Sequence, residues 1–171
     1  MSRITTIPKD NAVLRAKAAE VPAQEIASER IQNIIRDMSE TLRGTKDGIG
    51  IAAPQIGERL RIFVASEEAV ALDPASKTKA EWLHWTFINP KIETASRDLD
   101  EDTEGCLSVP NVFGITKRSE HVTITAYNEL GQKIKRSATG LLARLFQHEV
   151  DHLNGRLFID HATDLVEHVA E

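Results

Sequence analysis

The chain has 171 residues, a formal net charge of −5, 41% hydrophobic and 27% charged residues. That is the size of one domain able to bury a core of its own. The acidic balance speaks against a partner recognised through its phosphate backbone, such as DNA. No apolar run reaches the ~18 residues of a membrane span, and residues 1–9 lack the apolar segment of a secretory signal. The one cysteine, Cys106, has no partner for an internal disulfide. The expectation is a single domain over residues 1–171, in the cytoplasm or, in a eukaryotic source, in an organelle, with no membrane and no direct DNA contact.

In chain order, residues 10–21 read as a short helix stopped at Pro22, since proline disfavours helix at the residue before it. Residues 23–43 read as a longer helix. Ile31, Ile34, Ile35, Met38 and Leu42 recur at helical spacing and define one buried stripe, with Gly44 as terminator. Residues 48–57 are too glycine-rich for a continuous helix. A strand is expected over 60–66, a polar surface loop over 67–81, and two strands, 85–88 and 91–96, joined at Asn89-Pro90. Further strands fall at 114–118 and 122–128. In the latter Val122, Ile124 and Ala126 alternate with Thr123, Thr125 and Tyr127, the period of a half-buried strand. Residues 128–132 form a turn and 133–137 return as a partner strand. A last helix spans 141–154 and closes at Gly155. Helices, then strands, then one helix is the order of an α+β fold, with mainly antiparallel sheets packed around a C-terminal helix.

That last helix carries His148-Glu149-Val150-Asp151-His152, an HExxH pattern. Residues four apart on a helix stand one turn apart on the same face, with Cβ atoms about 5–6 Å apart. Two imidazoles so placed can share a metal ion, and Glu149 lies close enough to reach a water beside it. Taken alone, the pattern also fits a solvated helix face. Leu141 and Leu145 extend the His148/His152 stripe, however, so the histidines continue an inward-facing row where buried rings need partners. The eleventh position of the pattern is Phe158, where a metzincin carries its third histidine. Glu167 is the only internal glutamate downstream of the motif. The third ligand is therefore expected upstream.

Glu104-Gly105-Cys106-Leu107-Ser108 is the obvious source. A thiolate with two imidazoles suits a borderline-soft divalent cation, and three protein ligands leave a fourth position open, as in catalytic sites. Gly48-Ile49-Gly50-Ile51-Ala52-Ala53-Pro54-Gln55, then Glu104–Ser108, then Gln147-His148-Glu149-Val150-Asp151-His152 resemble, in order, the three motifs of the peptide deformylases. The N-terminal segment with Leu14-Arg15 and Ala18, and Gly140-Leu141-Leu142-Ala143 before the metal helix, extend the likeness over most of the chain.

The resemblance implies removal of the N-formyl group from the formylmethionine of nascent proteins, with release of formate. It implies one divalent ion held by Cys106, His148 and His152: Fe²⁺ in cells, with Zn²⁺, Ni²⁺ or Co²⁺ as substitutes. Glu149 would be the acid/base, and the Gln55 side chain and Leu107 backbone N–H the oxyanion donors. The Ile49-Gly50 backbone would pair with the peptide, Gly50 allowing close approach. Leu141 and Leu145 are expected to line an apolar pocket for the methionine side chain, and Arg118 to pair with Asp151. Phe113 stands where several relatives carry a basic residue, Asp102 where an apolar one is frequent, and Arg144 is a polar residue in the metal helix. These departures bear on selectivity. Little follows Ile159-Asp160, where longer relatives carry a helix that docks on the ribosome, so ribosome contact is expected to be transient and differently made. Two other readings stand beside this one: a general metallopeptidase, and a non-catalytic formyl-peptide-binding relative.

Overall fold

The computed structural model describes residues 4–6, 9–71 and 76–167. Two antiparallel sheets flank the helix that carries His148 and His152. β1 (Gly50–Ala52), β2 (Ile62–Ser66), β3 (His84–Ala95), β6 (His121–Tyr127) and β7 (Lys133–Thr139) form a five-stranded sheet in the order β1-β2-β3-β6-β7. β4 (Leu99–Cys106), β5 (Val109–Ser119) and β8 (Thr163–Glu167) form a three-stranded sheet in the order β4-β5-β8. β1 and β4 are thus both edge strands, and the cleft described below opens between them.

The helix α3 (Gly140–Leu153) packs on the larger sheet. Leu142, Ala143, Phe146, Val150 and Leu153 join the inward residues Val122, Ile124 and Ala126 of β6 in one core. Phe63 and Phe87 stack with ring centroids 4.6 Å apart, and Phe146 meets Phe87 edge-on at 4.9 Å. The C-terminal carbonyls of α3 are covered: Arg61, itself buried, donates to Leu153 O at 3.1 Å and to Asn154 Oδ1 at 2.9 Å. The chain then turns through Gly155 at φ +73°, where a Cβ would lie 2.4 Å from Arg15 O, so only glycine fits.

The helix α2 (Glu29–Arg43) buries Ile31, Ile35, Met38 and Leu42 against Ile51, Ile62, Val64 and Ile88. It begins later than the expected position 23, because Ser28 caps it by accepting the Ile31 N–H. Residues 23–25 form a separate 3₁₀ turn (Ala23–Glu25). Gly44 is the C-cap but stays right-handed, at φ −78°.

The first expected helix shrinks to the single turn α1 (Asn11–Leu14). The backbone beyond it is used in tertiary hydrogen bonds: Ala18 N–H donates to Leu153 O, and Ala19 pairs with Arg59 and Arg61. Asn89-Pro90 does not separate two strands. β3 runs through it as a bulge, with Asn89 at φ +51° and its amide bonded to both backbone groups of Val21. The polar segment 67–81 is not only loop, since it opens with a 3₁₀ turn (Glu67–Val70) that buries Ala69.

Candidate active site

The helical spacing of α3 brings His148 and His152 to one face, with ring centroids 4.9 Å apart. The tip of the β4–β5 hairpin brings Cys106 to them. Cys106 Sγ lies 3.2 Å from His152 Nε2, and the three ligand atoms all fall within 4.8 Å of one another. One ion with bonds of about 2.0–2.3 Å would fit between them. Burial alone would raise the Cys106 thiol, but the charges and hydrogen bonds of His152 and His148 outweigh it and hold it well below a free thiol. A thiolate beside two imidazoles, one steadied from behind by a carboxylate, suits a divalent transition metal.

That carboxylate is Glu104, whose Oε2 lies 3.1 Å from His148 Nδ1 and turns Nε2 of the ring toward the cysteine. Glu104 is buried, which would raise its carboxyl; hydrogen bonds from His148 and Arg118 instead hold it well below the usual carboxylate range. Arg118 grips both its oxygens, at 2.9 and 3.0 Å, and also bonds Asp151 on α3. Arg144 donates to Glu104 Oε1 at 2.9 Å and to Asp100 Oδ2 at 3.0 Å, and Thr116 donates to the same Glu104 oxygen at 2.7 Å. Two guanidinium groups and a hydroxyl thus fix the group that orients His148.

Glu149 is 2% exposed, and its Oε2 has no hydrogen-bond partner. Burial pushes its carboxyl up to about 7, against the pull of His148 and His152. A buried polar atom without a partner is rare enough to call for a functional reason. Opposite it, Gln55 sits in a 3₁₀ turn (Ala53–Ile56) after β1. Its Oε1 accepts the Ala52 N–H at 2.8 Å, which turns Nε2 toward Ser108 Oγ (3.2 Å) and Cys106 Sγ (3.6 Å).

Of these groups, Gln55, Glu104, Cys106, Arg144, His148 and Glu149 line one cleft of about 480 Å³ between β1 and β4. Gly50 forms one wall: a Cβ there would meet Leu145 Cδ1 at 2.5 Å and Glu149 Oε1 at 2.6 Å. Ile49, Leu107, Phe113, Leu141 and Leu145 also line it.

The polypeptide deformylase family model matches residues 1–168. The chain belongs to the polypeptide deformylase family. It is 38% identical over 159 residues to peptide deformylase 2 of Clostridium acetobutylicum, covering 92% of this chain and 93% of that one. It is 43% identical over 148 residues to the peptide deformylase of Pseudothermotoga lettingae, covering 86% and 76%. Among solved structures, a class I type b peptide deformylase of Acinetobacter baumannii bound to Met-Ala-Ser superposes with a TM-score of 0.80 at 30% identity, covering 94% of this chain and 98% of that one. Deformylases remove N-formyl groups from nascent peptides, and this chain is an enzyme of that family. These matches favour neither a general peptidase nor a non-catalytic binder.

Every deformylase-site residue expected from sequence borders this one cleft except His152, which lies behind it against Cys106. One expectation changes in emphasis. Leu145 is buried in the wall, whereas Leu141 is 51% exposed at the rim. Arg144, the polar residue of the metal helix, has its guanidinium consumed by Glu104, Thr116 and Asp100. Asp102 is exposed on β4 and does not line the cleft. The sequence reading missed the part of Glu104 as the residue that orients His148. Its place two residues before Cys106, with Arg144 left without an assigned partner, was the available signal.

Proposed function

We propose that the enzyme cleaves the formyl amide with Cys106, His148 and His152 as ligands of one divalent ion, Glu149 as acid/base, and Gln55 and the Leu107 N–H as oxyanion donors. When bound, the ion supplies Lewis acidity that makes hydroxide available near neutral pH. Glu149, buried with one oxygen unpartnered beside the three ligands, is poised to accept the proton of the attacking water and pass it to the leaving amine. That carboxyl beside three convergent donors is the observation that carries the reading. Gln55 Nε2, fixed by the Ala52 N–H, would donate to the formyl oxygen as it gains negative charge.

The nascent peptide would lie extended along the free edge of β1 at Gly50, as an added strand, while the Ile49 carbonyl, expected to share in this pairing, is taken by the Ser66 N–H. Its methionine side chain would rest on Leu145 with Leu141 at the rim. The Met-Ala-Ser complex of the Acinetobacter relative supports a peptide of this kind. We read residues 1–171 as one catalytic domain that meets its substrates by transient contact with the ribosome. Among the described residues no helix is long and apolar enough to cross a membrane. We place the enzyme in the cytoplasm, or in an organelle in a eukaryote, with Fe²⁺ as its ion and Zn²⁺, Ni²⁺ or Co²⁺ able to substitute.

Protein purified without oxygen should contain iron and release formate from formyl-Met-Ala-Ser. Activity should fall in air, as oxidation reaches the iron and the Cys106 thiolate. An undiminished rate after the metal has been stripped would overturn the reading.

A further inference from the structure

The polar segment between β2 and β3 sends a cation to Gly48, a residue that lines the cleft. Lys79 Nζ donates to Gly48 O at 3.0 Å and pairs with the Glu68 carboxylate. The two side chains are only 25% and 16% exposed, so water competes less than at an ordinary surface pair. Glu68 is itself anchored, its N–H donating to Ser66 Oγ at 3.3 Å. Ser66 N–H in turn donates to Ile49 O at 2.8 Å, next to Gly48.

Strand alternation gives this contact a consequence. Because Ile49 O is bonded to Ser66 on β2, the neighbouring residues present their backbone groups to the opposite, open edge of β1. At Gly48 both groups are already engaged: the N–H donates to Thr45 Oγ1 at 3.2 Å, and the carbonyl accepts from Lys79. At Gly50 they face the cleft. A strand added along this edge can therefore pair at Gly50 and is stopped at Gly48. Gly48 also packs close to the other side of the cleft, its Cβ position lying 3.1 Å from Leu107 Cδ1.

We propose that Lys79, held by Glu68, is a positioning residue that fixes the Gly48 carbonyl and so sets the register in which the peptide backbone pairs with β1. This rests on the reading of the β1 edge as the peptide-binding edge. Lys79 touches no reacting atom. Its loss should weaken the hold on substrate backbone beyond the first residue and leave the chemical step in place.

The test compares Lys79→Met, Lys79→Arg and Glu68→Gln with the wild type, each first checked for an unchanged melting transition and metal content. With formyl-Met-Ala-Ser, Lys79→Met should raise KM about tenfold with kcat within about twofold. Lys79→Arg, which keeps a charged donor, should recover most of the loss, and Glu68→Gln should fall between. With formyl-Met amide, which lacks the later backbone groups, kcat/KM should change less than about twofold. An unchanged KM for the tripeptide, or an equal loss on both substrates, overturns the proposal. If the wild type released no formate, the proposed activity would fail separately. Calorimetry with Met-Ala-Ser would then still decide: about tenfold weaker binding by Lys79→Met supports the brace, and equal binding overturns it.

Discussion

Gly50→Ala puts one methyl group where the geometry of catalysis is tightest. An alanine Cβ would lie 2.5 Å from Leu145 Cδ1 and 2.6 Å from Glu149 Oε1. The leucine methyl is the free end of a flexible chain and can swing aside. The carboxylate must retreat about 0.9 Å to restore an ordinary contact of roughly 3.5 Å. Displacing a reacting group by about 1 Å can cost ~10²-fold in rate, and one extra methyl in a packed site costs about 1–3 kcal/mol. Gly50→Ala should therefore fold with a slightly lower melting temperature and keep its metal, while kcat for formate release from formyl-Met-Ala-Ser drops about 10²-fold. The same panel of melting, metal analysis and steady-state kinetics decides the matter. A folded, metal-loaded variant with kcat within about threefold of wild type would show that Glu149 does not work from the position seen here.

Cys106→Ser should lower metal affinity sharply in a competition titration, because a hydroxyl replaces the only thiolate donor; equal affinity would remove Cys106 from the ligand set. Arg144→Met strands part of a buried charge network, and since Glu104 keeps Arg118, the loss should sit at the low end of the range, about 3 kcal/mol. Urea unfolding measures it, and an unchanged midpoint would mean the network contributes nothing. His84 is held neutral: burial first, then the charges of Arg43 and Lys79, lower its pKa from 6.5 to about 4. Between those values the unfolded chain binds the extra proton, so this group's stabilisation is complete above about pH 6.5 and is lost as pH falls toward 4. His84→Asn should therefore lose less melting temperature than wild type between pH 7 and pH 4.5; parallel losses would contradict this.

What was legible in the sequence is what periodicity records. Of the stripe Ile31, Ile34, Ile35, Met38 and Leu42, all but the half-buried Ile34 are buried as read, and so is the alternation Val122, Ile124, Ala126, because each element has one apolar face. His148, Glu149 and His152 were legible because helix geometry converts a spacing of four into a shared face. β4 escaped notice for the opposite reason. Its inward position is Glu104, facing Thr116 and Arg118 of β5, so an ion-pair network stands where a hydrophobic alternation would have announced a strand. β3 read as two strands because Asn89-Pro90 carries turn chemistry. Side-chain bonds from Asn89 to Val21 hold the bulge through which the strand continues, and that contact joins residues 68 positions apart. The stretch after α1 reads as helix, yet Ala18 and Ala19 bond to α3 and to the segment before β2. Gln55, Leu107 and Gly50 gained their assignments from the family motifs, since no local pattern tells a cleft residue from a turn residue. Lys79 had no signal at all, because its partner Gly48 lies 31 residues away.

In the proposed chemistry Glu149 moves the proton without holding the metal. Glu149→Gln keeps the size of the side chain and abolishes its basicity, so metal content and formate release on one preparation separate the two roles. The expected result is wild-type metal content with turnover of formyl-Met-Ala-Ser reduced about 10²–10⁴-fold. Undiminished turnover with the metal in place would contradict the assignment.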